Sequence, residues 1–326
     1  MSEEIILGDL SEVSKDSDSE KALRTYYNYI RAISAVLEAK YGRNYPPRLL
    51  QAQASLPSFQ AIPHSGVADD ELKTCYRRGL FTLEAMKRLP VEQFPQLALS
   101  ANFWLPVQAY YASHGIGLAT LLSLNGQRPQ YHSAFLSQIS KTVQELFPFP
   151  LNVTVGGCRP NFVVSQVSVS PQELSQQSNL EYPPYRRPEV LMAKSLSTTR
   201  QRALDEKLSE ARRKKVATKH RRRNLKTHEK ANIVARLHNT TIFDFLYRIR
   251  IRSNYDDPDM YIFGQSDAAE AVRHYHNLLG LTESLIRCCE AIIRSRVGTN
   301  NFETLKKRIA GRMNQIMITP AGAVTT

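Results

Sequence analysis

Cysteine is scarce in this sequence, and the few cysteines are not spaced for metal binding. The chain holds four, Cys75, Cys158, Cys288 and Cys289, and none forms a Cys-x-x-Cys pair. No cysteine–histidine spacing matches a zinc site, so we predict no metal and no cofactor. Cys288 and Cys289 lie within a helical pattern, where neighbouring thiols are more often core residues than a redox pair.

Long apolar segments and a leader sequence are also missing. No apolar run approaches the roughly 20 residues needed to span a bilayer. Residues 1–20 carry seven acidic residues and one lysine, whereas a secretory signal begins with basic residues and continues with an apolar stretch. These absences argue against a membrane partner and predict a soluble, cytoplasmic protein with reduced thiols.

Positive charge is what the sequence has in excess. The 326 residues carry a formal net charge of +13, and residues 211–230 (ARRKKVATKHRRRNLKTHEK), here called the basic run, hold ten lysines and arginines against one glutamate. Such a concentration of charge favours an anionic polymer as partner; the alternative is a solvated loop. We predict that nucleic acid, RNA in particular, contacts these side chains of the run: Arg212, Arg213, Lys214, Lys215, Lys219, Arg221, Arg222, Arg223 and Lys226.

Apolar residues recur every three or four positions over most of the chain. This is the periodicity of amphipathic helices. We predict a mainly α protein, a helical bundle with a small β-hairpin insertion around 151–170, where β-branched residues alternate. The predicted organisation is an acidic disordered tail (1–18), an N-terminal helical region (19–147), a Pro-rich linker with the hairpin (148–195), a basic helical segment (196–240), a C-terminal helical bundle region (241–318) and a tail (319–326).

Turn and cap residues indicate where the helices begin. Residues 44–66 are rich in proline, serine and glutamine, which is typical of a long connector. Asp69 or Asp70 is expected to cap the helix that follows, because a carboxylate accepts from the free N–H groups of a first turn. Ser197 or Thr198 is expected to do the same for a later helix.

The block 97–126 is the most apolar part of the chain. Pro106 should begin or kink a helix there, and the small residues of the block suggest close helix packing rather than a phosphate-binding loop. His114 within the block is expected to be a core or interface residue. Arg128 and His132 are expected to form a surface pair at the start of the next helix.

The basic run contains one pattern with catalytic meaning. Arg223, Asn224 and His228 have a spacing that places arginine and histidine near one face of a helix. Histidine transfers protons near neutral pH and arginine stabilises charge on a phosphate, so such a pair can cleave RNA through its 2′-hydroxyl without metal. Arginine is so dense here that the spacing also arises by chance, and phosphate binding is the competing interpretation.

A second arginine-rich stretch is FDFLYRIRIRSNYDD, residues 243–257. Alternation of arginine with isoleucine favours a strand, whereas the preceding residues favour a helix. In a helix, Arg248 and Arg252 share one face. They are expected either to pair with Asn254, Asp256 and Asp257 in a structural network or to contact nucleic acid, with Tyr247 or Tyr255 stacking on a base.

Two segments resemble the HEPN superfamily, the higher-eukaryote and prokaryote nucleotide-binding helical domains. PVQAYYASHGIGLATLLSLNGQRPQYHSAFLSQI (106–139) is similar to that family's helix with small residues and the turn into its next helix. The segment 246–298 is similar to its arginine-rich helix, tyrosine–aspartate turn and long closing helix. The resemblance implies a helical bundle that forms a homodimer or joins a larger complex. It also implies a part in prokaryotic antiviral defence or CRISPR-linked assemblies.

Three functional hypotheses follow. The first is an RNA-binding helical component, whose affinity should fall steeply with salt. The second is a metal-independent ribonuclease of the HEPN type, in which Arg223 and His228 converge on a shared groove. The third is a protein–protein interaction subunit, in which the apolar helix at 103–124 is partly exposed when the chain is alone.

Overall fold

A computed structural model of the chain describes residues 17–65, 68–157, 168–170, 188–217, 224–256, 258–264 and 267–318. Of the acidic tail predicted at 1–18, residues 1–16 lie outside the described ranges, and Ser17 begins a helix. The tail predicted at 319–326 also lies outside them.

The fold is mainly α, as the periodicity predicts. The first half of the chain forms α1 (Ser17–Tyr41), α2 (Pro46–Ala54), α3 (Pro57–Gln60), α4 (Asp70–Lys87), α5 (Gln96–Asn125) and α6 (His132–Leu146). Two short strands follow, β1 (Thr154–Gly156) and β2 (Ser168–Ser170). The second half forms α7 (Pro188–Ala217), α8 (Thr227–Ala235), α9 (Ile242–Ile251), a π-helical turn (Arg252–Asp256), α10 (Pro258–Phe263), α11 (Ala268–Val297) and α12 (Thr299–Ile318).

Helix α5 is the centre of the bundle. Its sequence is apolar on nearly every side, and α4 and α11 pack along its length, so residues all around it are buried. An evenly apolar helix is stable only when it is surrounded in this way. Pro106 lies inside α5 rather than at a helix start.

The contact between α4 and α5 depends on glycine. A Cβ atom on Gly115 would lie 2.8 Å from the backbone nitrogen of Gly79, and a Cβ on Gly79 would lie 2.8 Å from the carbonyl oxygen of Ala112. Real Cβ atoms do not approach backbone so closely, so the two helices touch through their main chains at this crossing. The prediction that the small residues of this block serve helix packing is confirmed.

One hydrophobic core joins helices from both halves of the chain. It includes Ile33 of α1, Leu121 of α5, Phe243 of α9 and Leu285 of α11, all fully buried. The regions predicted at 19–147 and 241–318 therefore share a core. Within the described ranges, no helix is long and apolar enough to cross a membrane.

The predicted hairpin appears as a short antiparallel pair of strands. Thr154 faces Ser170 and Gly156 faces Ser168. The strands are shorter than expected, because Leu151 and the next residue form a turn instead of extending β1. Val155 also bridges to Thr240, at hydrogen-bond distances of 2.8 and 2.9 Å, so the strand anchors the residues that lead into α9.

Two predicted boundaries are wrong. The expected connector 44–66 contains α2 and α3, both of which begin with proline at the first helical position, where its missing N–H costs nothing. Helix α7 begins at Pro188, inside the predicted linker, so Ser197 and Thr198 are interior residues and not caps. Their hydroxyls donate to carbonyl oxygens three or four residues earlier, which satisfies them within the helix.

Other local predictions are confirmed. Asp69 caps α4, its carboxylate accepting from the Leu72 N–H at 2.6 Å. Cys75, Cys288 and Cys289 are buried free thiols, whereas Cys158 lies outside the described residues. Of the apolar helix at 103–124 in the third hypothesis, Trp104 and Tyr111 are exposed and most other residues are buried, so its role as an interface stays a prediction.

Candidate nucleic-acid interface

The described part of the basic run lies at the end of α7 and the start of α8. Arg212 and Arg213 are exposed and form no ion pair with a described residue, so they are available to a ligand. Lys214 is already paired with Glu210 at 2.7 Å. The remaining predicted contacts of the run, Lys219, Arg221, Arg222 and Arg223, lie outside the described residues.

Lys215 has a structural partner that the sequence did not indicate. Its Nζ contacts both carboxylate oxygens of Glu229 at 2.8 Å, and Glu229 also accepts from the backbone N–H of Lys226. These contacts hold α8 against α7, around a small apolar cluster that includes Leu225. The charge of Lys215 is therefore paired within the protein, whereas the side chain of Lys226 is exposed.

The predicted catalytic residues are not brought together in the described structure. Asn224 and His228 are both exposed, and His228 lies in the first turn of α8. Arg223 lies outside the described residues, so its convergence with His228 stays a prediction.

Helix α9 settles the choice between strand and helix for the second arginine-rich stretch. Thr241 caps it, and the Asp244 carboxylate accepts from the Thr241 N–H at 2.8 Å, which completes a capping box. Arg248 and Arg252 do share a face, since both guanidiniums lie 5.5 Å from the ring centre of Tyr26. Both arginines thus lie against α1 within the fold.

The predicted pairing of Arg248 with Asp256 is wrong. Arg248 Nη1 donates to the hydroxyls of Thr198 at 2.8 Å and Thr199 at 3.3 Å. Asp256 accepts instead from Arg202 of α7. Asp257 lies outside the described residues.

Arg250, which the sequence did not single out, occupies the most unusual environment. Its side chain is 7% exposed and lies among four tyrosine rings, whose centres are 5.1–5.7 Å from the guanidinium carbon. Nη2 donates to the Tyr111 hydroxyl at 2.8 Å, and Nε has no hydrogen-bond partner. Among the described residues, no carboxylate pairs with it. We call the group the arginine–tyrosine cluster; it consists of Arg250, Tyr110, Tyr111, Tyr247 and Tyr255.

The π-helical turn explains how Tyr255 reaches this cluster. A π-helix has more residues per turn than an α-helix, and single turns of this kind occur often at functional sites. Here the wider turn brings the Tyr255 ring to 5.7 Å from Arg250, although the two residues are five positions apart. The Ser253 hydroxyl donates to the carbonyl of Phe103, which fixes the turn against α5.

Two histidines border the arginine–tyrosine cluster. The rings of His114 and His132 are 4.9 Å apart, and each lies within 5.5 Å of the Tyr110 ring. Burial, followed by the charge of Arg250, lowers the pKa of His132. Burial, followed by the neighbouring His132, lowers the pKa of His114 to about 3. Both imidazoles are therefore neutral at pH 7, and the positive charge of this cluster comes from Arg250.

The tautomer of His132 follows from its contact with Tyr110. The Tyr110 hydroxyl lies 2.7 Å from Nδ1 of His132. Burial raises the pKa of Tyr110, so it keeps its proton, and it has no other acceptor among the described residues. It therefore donates to Nδ1, which leaves the proton of the neutral imidazole on Nε2. His132 thus offers an N–H donor, suited to an anion, rather than a basic nitrogen.

The start of α6 adds further donors next to the His132 ring. His132 is the first residue of α6, and Tyr131 before it provides no side-chain cap. The first N–H groups of a helix have no partner within the helix and bind anions well. Donors of this kind, and the almost fully buried Arg250 with no carboxylate partner among the described residues, suit a ligand of negative charge.

Comparison of the chain with protein-family models, with curated proteins and with solved structures found no match.

Proposed function

We propose that the protein binds single-stranded nucleic acid, with RNA as the partner that the family resemblance implies. A backbone phosphate binds at Arg250, and unpaired bases stack on the exposed tyrosines. The observation that carries the proposal is Arg250 itself, a buried guanidinium with an unpartnered Nε and no carboxylate among the described residues.

An unpaired buried charge is costly. Removing an ion from water without a counter-charge costs several kcal/mol, whereas a tyrosine face returns about 0.5–2 kcal/mol to a nearby cation. The four rings around Arg250 attract the guanidinium but do not neutralise it. An incoming phosphate would supply the missing charge and a fork of acceptors for the free N–H groups.

The surface around the cluster is suited to unpaired bases. Tyr131 is 76% exposed and Tyr255 is 65% exposed, and Tyr111 and Trp104 are exposed as well. Stacking on an aromatic side chain is worth about 1–3 kcal/mol per base and requires no particular sequence. Duplex bases are already stacked on each other, so these rings favour single strands.

The proposal is tested by replacing Arg250 with glutamine. We expect Arg250→Gln to weaken binding of an unstructured RNA 12-mer by about tenfold or more, because a hydrogen-bonded charge is lost. The slope of log affinity against log salt should become shallower by about 0.7, the value for one phosphate contact. Arg287→Gln is the matched control, since Arg287 is exposed on α11 and lies near Tyr45 instead.

Because Arg250 is buried, a surface variant guards against misfolding. Tyr255→Ser removes an exposed ring and should weaken the same RNA by roughly 1–3 kcal/mol, with unchanged thermal stability. Wild-type affinity and wild-type salt slope in both Arg250→Gln and Tyr255→Ser would show that the cluster does not bind nucleic acid.

The same RNA, analysed on a gel, separates binding from cleavage. Metal-independent cleavage that His228→Ala abolishes would favour the ribonuclease hypothesis for Arg223, Asn224 and His228. We expect intact RNA, since the tautomer of His132 leaves it a donor and His228 lies on an open surface. A part in a defence assembly stays a prediction.

A further inference from the structure

A cavity of about 420 Å³ lies beside the arginine–tyrosine cluster. It is formed by α6, α7, α9 and the residues that join α8 to α9, and its volume falls in the range of small-molecule sites. Tyr247 lines the cavity and also belongs to the cluster, where its ring centre is 5.5 Å from that of His132. The two sites are therefore neighbours that share one aromatic wall.

Positive charge exceeds negative charge along this cavity. Four basic side chains and two acidic ones line it. Arg202 is paired with Glu206 and Asp256, so it is neutralised within the protein. Arg236 is exposed and makes no ion pair with a described residue. Arg248 donates to the hydroxyls of Thr198 and Thr199 but pairs with no carboxylate among the described residues. Two guanidinium charges are thus left without a counter-charge.

A histidine of fixed orientation completes the lining. His238 Nε2 lies 2.7 Å from Oδ1 of Asp244, whose other oxygen accepts from the Thr241 N–H and hydroxyl. The carbonyl of His238 also accepts from Arg200 at 2.7 Å. Since a carboxylate only accepts, Nε2 carries a proton. A ligand in the cavity thus meets two positively charged arginines and a histidine ring held in place.

We propose that this cavity binds a phosphate monoester. Near neutral pH a monoester carries close to two negative charges, which match the two unneutralised guanidiniums of Arg236 and Arg248, whereas a phosphodiester within a strand carries one. The Tyr247 ring and the apolar side chains of Leu136 and Leu237 receive the organic part. The phosphate belongs either to a free small molecule or to the end of a bound RNA strand.

Phenyl phosphate is the probe for the first source. In calorimetric titrations of the full chain, we expect phenyl phosphate to bind at least about tenfold more tightly than benzoate, and phenol to bind most weakly, because affinity follows the ligand's charge. Arg236→Gln should weaken phenyl phosphate about tenfold; it is an exposed position, so the fold is retained. Arg287→Gln, at an exposed arginine of α11 outside the cavity, is the matched control and should leave this affinity unchanged.

RNA 12-mers of one sequence with a 5′-phosphate, a 3′-phosphate or only hydroxyl ends identify the source. If a strand end occupies the cavity, one phosphorylated 12-mer binds more tightly than the hydroxyl-ended one, and Arg236→Gln removes the difference. If the three bind equally while phenyl phosphate still binds, the ligand is a free phosphate monoester.

The inference is overturned if phenyl phosphate binds no more tightly than phenol at concentrations up to roughly 10 mM, or if Arg236→Gln and Arg287→Gln have equal effects on it. The strand-end source rests on the proposed function, whereas phenyl phosphate does not. Binding of hydroxyl-ended RNA with no binding of phenyl phosphate would reject this inference alone, and the reverse result would reject the proposed function alone.

Discussion

At the scale of single residues, buried histidines decide how the fold responds to acid. The ring of His274 stacks on that of Tyr27 at 3.7 Å between centres, and neither ring nitrogen has a hydrogen-bond partner among the described residues. Burial lowers the pKa of His274 to about 3. Two positions along, His276 is half-exposed and pairs with Glu92 at 2.7 Å, so two neighbouring histidines have opposite surroundings.

We expect the free energy of unfolding to fall as the pH drops from about 6.5 toward 3. In this window the unfolded chain protonates His274 and the folded chain does not, so acid favours unfolding by roughly 1 kcal/mol per pH unit. His274→Phe keeps the stack on Tyr27 and should flatten the dependence; a slope remains because the pKa of His114 is lowered in the same way.

Urea unfolding at pH 7 and at pH 5 measures this effect. His276→Phe is the control, since its imidazole is in contact with solvent. Equal losses of stability between the two pH values in wild type and His274→Phe would mean that His274 takes up its proton without unfolding.

Residue-scale chemistry was only partly predictable. Three arginines alternate with isoleucine in this stretch. Helical periodicity relates Arg248 to Arg252, which are four residues apart, and gives no partner for Arg250. Arg250 points to the other side, toward Tyr110 and Tyr111 on α5. The tyrosine pair precedes Arg250 by about 140 positions, and no local pattern links residues so far apart.

At the scale of elements, the crossing of α4 and α5 is the most demanding contact. The two helices meet through Gly79 and Gly115, where each glycine leaves room for the other's backbone. Neighbouring Gly117 faces Phe135 of α6, and a Cβ there would lie 2.9 Å from its ring. The placement of α6, and with it of His132, therefore depends on the same row of small residues.

We expect Gly115→Ala to destabilise the protein by about 1–3 kcal/mol, the usual cost of overpacking, because the atoms it would strike are backbone atoms of α4 and cannot turn aside. Gly311→Ala is the matched control: nothing lies within 4 Å of its Cβ position, and alanine there should stabilise α12 by about 0.5–1 kcal/mol. Thermal unfolding of the two variants measures both changes in stability. Similar unfolding midpoints for Gly115→Ala and Gly311→Ala would contradict the close packing of α4 and α5.

The elements themselves were largely predictable, whereas several boundaries were not. Apolar periodicity identifies a helix from one face, so the long helices were expected close to their observed positions. The beginning of α7 was missed because Ser197 and Thr198 have the composition of a cap but donate to carbonyls within the helix. The proline-rich composition of 44–66 predicts a connector, but proline also begins helices, as Pro46 and Pro57 do here.

At the scale of the whole molecule, the proposed ligand sites extend along α7. Arg202 of α7 lines the cavity, and Arg212, ten residues later, is exposed at the end of the helix. At 1.5 Å per residue the two are about 15 Å apart. A strand bound at the arginine–tyrosine cluster could therefore continue to the basic run, and the net charge of +13 would hasten its approach.

The burial of α5 has a consequence for the newly made chain. Helix α5 ends at Asn125 and already has α4 before it, but its second long partner, α11, is complete only at Val297. At the usual rates of translation, roughly ten to thirty seconds separate the two. During this interval the apolar side chains of α5 that pack against α11 are exposed to solvent. We therefore expect the nascent protein to depend on chaperones until α11 has emerged.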